Sequence, residues 1–169
     1  MQINVKIEDA QAKELLREIM ARTGNLRPVM QTVGEIVRTS VERNFAASGR
    51  PAWLPSGRVK REGGQTLSKT GRLRRSFSLP EAITAGDDYV AVGTDVIYAA
   101  IHQFGGKTPP RTIVPLQKKA LFWPGAKHPV KSVQHPGSKI PARPFLMVQA
   151  EDWTEIRHAI NDYLLAIRR

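Results

Sequence analysis

The chain has 169 residues, long enough for one domain with a proper core and too short for two large ones joined by a linker. Its 26 lysines and arginines against 15 aspartates and glutamates give a net charge of +11, and with 41% hydrophobic residues this is the composition of a folded chain rather than a disordered tail. There is no cysteine, which excludes disulfide scaffolds, cysteine nucleophiles, zinc ribbons and thiolate-held iron–sulfur clusters.

Ile3, Val5 and Ile7 alternate with polar neighbours, the period of two of a strand with one buried face. This opening lacks the continuous apolar core of a signal peptide, and the longest later apolar stretch, around 89–101, is interrupted by Asp95; neither a cleaved signal nor a membrane span is expected. Asp9 is placed to cap a helix in which Ala12, Leu15, Leu16, Ile19 and Met20 recur at steps of three and four, with Gly24 as its stop. A longer helix follows, striped by Leu26, Val29, Met30, Val33, Ile36, Val37, Val41 and Phe45, with Pro28 in the tolerated first turn and a turn signal at Ser48-Gly49-Arg50-Pro51.

Residues 54–68 read as a mobile basic loop, with Pro55, Gly57, Gly63 and Gly64 among Arg58, Lys60 and Arg61. A short helix is expected over Leu67–Phe77, then a hairpin of residues 77–85 and 89–94 turning at Gly86-Asp87-Asp88. Residues 96–104 are apolar almost throughout, so their period does not separate strand from helix, and burial is the expectation. Eight of the twelve prolines lie between Lys107 and Pro144, which makes 107–139 an extended basic arm or irregular hairpin. Trp153, Ile156, Ile160, Tyr163, Leu164 and Ile167 stripe a last helix, with Glu151 and Asp152 at its start and Arg168 and Arg169 at its end, both suited to the helix dipole. Strand, two helices, several strands and a closing helix predict an α+β fold, an antiparallel sheet packed with a long N-terminal helix and a C-terminal amphipathic helix, in a single domain over 1–169.

Charge is unevenly placed along this order. Residues 51–80 carry +6 and 107–145 carry +8, whereas 81–106 between them carry −4 and the two ends are nearly neutral. Lys69, Arg72, Arg74 and Arg75 cluster on the short helix, and Lys118 and Lys119 lie on the arm; with Arg58, Lys60 and Arg61 they are the candidate contacts to a partner or to DNA phosphates. Phe122 and Trp123 are the aromatic residues set among them.

No residue set for catalysis, a cofactor or a metal stands out. Gly105-Gly106-Lys107-Thr108 has the end of a phosphate-binding loop, but Ile101 stands where its first glycine belongs and Pro109-Pro110 stand where its helix should start. His102, His128, His135 and His158 are scattered without convergent carboxylates, Asp87-Asp88 fit a turn, and no Gly-x-Ser-x-Gly elbow exists. A hydrolase, which would need clustered titratable groups, is therefore disfavoured.

Four stretches in order carry a resemblance: Trp53-Leu54-Pro55, Thr70-Gly71-Arg72-Leu73-Arg74-Arg75-Ser76, GTDVIYAAIHQFGG at 93–106, and IPARPFL at 140–146. Together the chain resembles the phage virion morphogenesis family, the tail-completion proteins of Mu-like and related tailed phages. The resemblance implies a non-enzymatic structural protein without cofactors, acting in tail completion or head–tail joining as a ring, commonly hexameric. It implies neck, connector or tail-terminator proteins as partners, non-specific contact with phage DNA, a place in the neck or tail of the virion, and assembly in the bacterial host cytoplasm.

Carried onto the motif positions, the resemblance gives Trp53, Thr70, Gly71, Leu73, Ser76 and Gly93 structural roles, Gly71 turning the chain into the short helix over a buried Leu73. Tyr98, Ala99, Ile101 and Phe104 are expected in the core, His102 and Gln103 on buried backbone groups, and Gly105 and Gly106 at positive φ. Pro141 and Pro144 fix an extended segment around Arg143, a partly buried charge awaiting either an internal ion pair or a subunit contact, and Phe145 anchors the arm's return. In a ring, the acidic 81–106 segment would meet a basic arm. The competing reading is a basic nucleic-acid-binding module, resting on charge alone.

Overall fold

The structure, a computed structural model, describes residues 10–165. The strand expected over Ile3–Ile7, the Asp9 cap and the end of the last helix at Ile167 lie outside these residues. The fold is α+β, and the chain gathers into two compact units: one runs up to Val96 and resumes from Phe145, the other is Ile97–Pro144.

The first unit is organised around a long helix. Helix α1 is Ala10–Thr23 and α2 is Arg27–Ala46, with Pro28 in the first turn of α2 where its missing N–H costs nothing. Strands β1 (Ile83–Ala85) and β2 (Val90–Val92) form a hairpin at the expected turn, in register Ile83↔Val92 to Ala85↔Val90, with the Gly86 N–H donating to the Tyr89 carbonyl at 2.8 Å; its first strand is shorter than the expected 77–85, because Pro80–Ala82 form a 3-10 turn. Helix α6 (Ala150–Leu165) closes the unit, and α2 packs against both it and the hairpin. The approach of α2 to the hairpin is close: a Cβ on Gly34 would stand 2.5 Å from Ile83 Cγ2 and 3.0 Å from Val90 Cγ2. That glycine is how the helix reaches the sheet surface.

An aromatic cluster fills the centre. Phe45, with no exposed surface, stacks on Phe145 with centroids 5.5 Å apart, meets Trp53 edge-on at 5.6 Å, and lies 6.4 Å from Phe77. Phe77 and Phe145 are themselves 5.7 Å apart. Each such pair adds about 0.5–1.5 kcal/mol beyond the area it buries. Val29, Val33, Val41, Leu73 and Ile156 extend this core.

Polar groups run through the same interior. Ser40, Asn44 and Asp152 are fully buried. Ser40 Oγ donates to Asp152 Oδ2, and the Gln149 N–H reaches the same oxygen at 2.7 Å. Gln149 immediately precedes α6 and Asp152 is its third residue, so this is the acid half of a capping box. Asn44 Nδ2 donates to the Phe145 carbonyl at 2.9 Å, and Arg50 joins Asn44 Oδ1 at 2.9 Å, Ser40 Oγ at 2.9 Å and Glu151 Oε1 at 2.9 Å. One network thus ties α2, the turn after it and the start of α6.

Some expectations are corrected here. The stretch read as loop over 54–68 contains a helix, α3 (Gly57–Glu62), because Ser56 caps it: its Oγ accepts the Val59 N–H at 3.3 Å. The helix expected over Leu67–Phe77 is confined to α4 (Arg72–Ser76), since Leu67 sits at φ 62°, outside helical geometry, and the turn starts only after Gly71 at φ 71°. Apolar stripes are also less buried than their period implies: Leu16 and Met20 on α1 and Trp153 on α6 are exposed.

The second unit is a short helix and a ribbon. Helix α5 (Ala99–Phe104) is followed by β3 (Gly106–Lys107), β4 (Arg111–Ile113), β5 (Val133–His135) and β6 (Lys139–Ile140). β3 pairs with β6 and β4 with β5, both antiparallel.

Candidate functional site

The motif stretches divide between the two units. In the first, Trp53, Leu73 and Phe145 are buried in the aromatic core or beside it. Ser76 Oγ donates to the Leu73 carbonyl at 2.7 Å and lies 2.6 Å from Thr94 Oγ1, while Thr70 Oγ1 accepts the Arg72 N–H at 3.4 Å at the head of α4. The Gly93 N–H donates to the Ala82 carbonyl at 2.9 Å where β2 ends. These positions hold the frame.

In the second unit, residues 98–106 and 140–144 pack on each other. The Arg143 N–H donates to the His102 carbonyl at 2.7 Å, and Gly106 pairs with Ile140. Gly105 at φ 73° leaves room for no side chain, since a Cβ there would stand 2.8 Å from the Ala142 nitrogen. Arg143 is buried, and that burial draws its guanidinium below the usual range. Pro141 and Pro144 bracket it, as the extended segment requires.

The expectation that Tyr98, Ala99, Ile101 and Phe104 fill the core holds for Ala99 alone. Tyr98 is 41% exposed, Phe104 79% exposed, and Ile101 only half-buried. A helix of six residues has one inward side, and Ala99 occupies it, so the larger apolar groups of the run face outward. His102 does not serve a buried backbone group through Nδ1, which is buried without a hydrogen-bond partner.

That environment gives His102 a pH signature. Burial first, and the Arg143 charge second, hold its imidazole below the ordinary 6.5. The unfolded chain therefore takes up this proton more readily than the folded one. Stability is complete above the unfolded value and is lost as pH falls from there through the folded value. Urea midpoints measured down to about pH 5 should fall further for the wild type than for His102→Gln, the difference opening below the ordinary histidine range. Equal falls in both proteins would contradict it.

Beyond β3 and β6 the arm over 107–139 is an interrupted antiparallel ribbon. The Thr108 N–H donates to the Ser138 carbonyl at 2.9 Å, Arg111–Ile113 pair with Val133–His135, and Leu121 exchanges both backbone bonds with Val130 at 2.8 and 3.0 Å. The ribbon turns at Trp123–Ala126, where the Ala126 N–H meets the Trp123 carbonyl at 2.9 Å. Between the Ile113↔Val133 and Leu121↔Val130 pairs, the outgoing strand spends seven residues (114–120) and the returning strand two (131–132). The excess swells into a bulge that carries Leu116, 96% exposed, together with exposed Lys118 and Lys119. No signal of residue type marks this bulge; it follows from register. Beside it, Ile113, Leu121, Phe122, Trp123 and Val133 line an apolar hollow of about 310 Å³.

The unit formed by Ile97–Pro144 contains eight basic residues and no acidic one, and all but Arg143 are exposed. The other candidate contacts lie in the first unit. Lys60 and Arg61 on α3 and Arg72, Arg74 and Arg75 on α4 are exposed, whereas Arg58 is engaged internally, donating to the Gly63 carbonyl at 3.2 Å and the Gln65 carbonyl at 2.6 Å.

Among the described residues, no three histidines, aspartates or glutamates come together as a metal site, and no helix is long and apolar enough to cross a membrane. Gly106-Lys107, from the fragment that resembles a phosphate loop, lies in β3 and opens no helix.

A family model described as the phage virion morphogenesis family matches residues 7–165. The chain is 30% identical over 162 residues to the Mu-like prophage FluMu G protein 2 of Haemophilus influenzae, covering 95% of each chain. No solved structure matches.

Proposed function

This chain belongs to the phage virion morphogenesis family, a family of phage structural and assembly proteins, and we propose that it acts in tail completion or head–tail joining at the neck, as a ring of subunits. The observation that carries this reading is the match along nearly the whole chain, which includes both the buried frame positions and the arm. Six subunits is the expected number, and neck, connector or tail-terminator proteins are the expected partners. The work is contact rather than catalysis: a rigid frame presents charged, partly apolar loops to neighbours. Deletion of the gene from the phage or prophage should leave filled heads and tails unjoined in electron micrographs, with rescue by the wild-type gene. Infectious, fully joined particles without it would sink the proposal.

A second reading is supported by the seven exposed cations of the Ile97–Pro144 unit, which enter no ion pair among the described residues. A nucleic-acid-binding module would shift duplex DNA at low salt, and the shift would weaken steeply as salt is added. Absence of a shift at low salt disposes of it.

A further inference from the structure

Two exposed surfaces of this molecule pair apolar groups with opposite charges. The first is the bulge 114–120, with Leu116 almost fully in solvent, Phe122 and Trp123 beside it, and Lys118 and Lys119 at its edge. The second is a groove of about 470 Å³ along the β1–β2 hairpin of the other unit, its lining including Leu79, Thr84, Ala91 and Val92 together with the carboxylates of Glu81 and Asp95. Leu79 is 51% exposed there, and Asp87, Asp88 and Tyr89 are exposed at the hairpin turn. Residues 81–96 hold four acidic groups and no basic one, while 97–144 hold eight basic and no acidic. One surface is an exposed apolar knob with two lysines close by in the chain, the other a largely apolar slot with two carboxylates in its lining.

We propose that the bulge of one copy seats in the hairpin groove of a neighbouring copy, Leu116 entering the slot and Lys118 and Lys119 facing Glu81 and Asp95. The proposal rests on the reading of the chain as a self-assembling subunit and names the surfaces that would do it. Because the two patches differ, the contact is heterologous: every copy offers one knob and one slot, so copies add head to tail until they close. The lysine edge steers the approach and selects the partner, while the buried leucine anchors it. A second copy is favoured over DNA because the bulge holds Leu116 96% exposed, an apolar group that a phosphate backbone does not reward, and because residues 81–96 of a second copy offer four acidic groups to its lysines.

The chain has no cysteine, so single cysteines report cleanly. Leu116→Cys and Thr84→Cys proteins carrying tags of different size, mixed and oxidised, should give a mixed disulfide at least ten-fold more abundant than either homodimer. The doubly substituted chain should give a ladder of multimers. Charge reversal supplies the second arm. Lys118→Glu/Lys119→Glu and Glu81→Lys/Asp95→Lys should each lose self-association by ten-fold or more in light scattering, since each alone opposes like charges. Mixed one to one they should associate again, each reversed edge meeting its opposite. All these positions are exposed, and far-UV circular dichroism checks that the variants fold.

Three outcomes overturn the proposal. Self-association that survives both reversals without the mixed disulfide places the subunit contact elsewhere and leaves the assembly reading standing. A doubly substituted chain that closes only on itself does the same. Lysine reversals that abolish a duplex-DNA shift but leave self-association untouched assign the bulge to nucleic acid. The deletion experiment above tests the assembly reading independently of all three.

Discussion

Phe45→Ala should lower the unfolding free energy by about 3–5 kcal/mol, the range for truncating a fully buried phenylalanine. The position is extreme on each count that sets this cost. Phe45 has no exposed surface and touches three other rings, Trp53, Phe77 and Phe145, which come from three separate stretches of chain. A void left there is walled by groups fixed in different elements, so it collapses poorly and the cavity cost remains. Since whole domains are stable by only about 5–15 kcal/mol, the variant should be near the edge of folding at room temperature. Urea unfolding measures it, with Phe122→Ala as the comparison: Phe122 is 67% exposed, and its truncation should change stability by no more than about 0.5 kcal/mol. Equal effects at the two positions would mean that the aromatic cluster does not hold the frame.

Asp152→Ala should cost about 3 kcal/mol, mostly through the hydrogen bonds it orphans. The carboxylate is completely buried and accepts from Ser40 Oγ and from the Gln149 N–H at 2.7 Å. Arg43 Nη1 is 4.0 Å from its other oxygen and is 46% exposed, so screening leaves the ionic part small. Removing the carboxylate leaves the Gln149 N–H at the head of α6 without this acceptor and leaves the Ser40 hydroxyl only the Met147 carbonyl at 3.5 Å to donate to. Because Ser40 and Asp152 share one bond, their effects should not add: the Ser40→Ala/Asp152→Ala double variant should be less destabilised than the two singles combined, by about 0.5–3 kcal/mol. Asp152→Asn, which keeps an acceptor oxygen of the same shape, should recover part of the loss. Additive singles in the urea-unfolding cycle would deny the coupling.

The contrast between these two residues explains what was legible in the sequence. Phe45 is the last member of a stripe with helical period, and that period, sustained from Leu26, gave α2 and its buried side almost intact. Asp152 was readable only as an acid near a helix start. Residue type cannot distinguish a carboxylate that meets the dipole in solvent from one driven inside, because the difference lies in Ser40, 112 residues away. The hairpin was legible from Gly86-Asp87-Asp88, a local signal. Helix α3 was not, as glycine and proline masked a single serine cap at Ser56. For residues 96–104 apolarity was taken for burial, yet in so short a helix Tyr98 and Phe104 have nowhere inward to go. The site fared similarly: the charge asymmetry along the chain was plain, whereas the knob on the arm depends on strand register, which sequence does not carry.

The chain order of the first unit also sets a clock. Its centre needs Phe145 against Phe45 and Asn44 against the Phe145 carbonyl, a bond that spans 101 residues. On the ribosome, these contacts wait until Phe145 and the helix after it have been made, whereas the pairings within Ile97–Pro144 need no residue beyond Pro144. A nascent or prematurely terminated chain thus displays the arm on an uncompleted frame. A chain that stops short of Phe145 therefore lacks the ring that stacks on Phe45, whatever its arm has already paired.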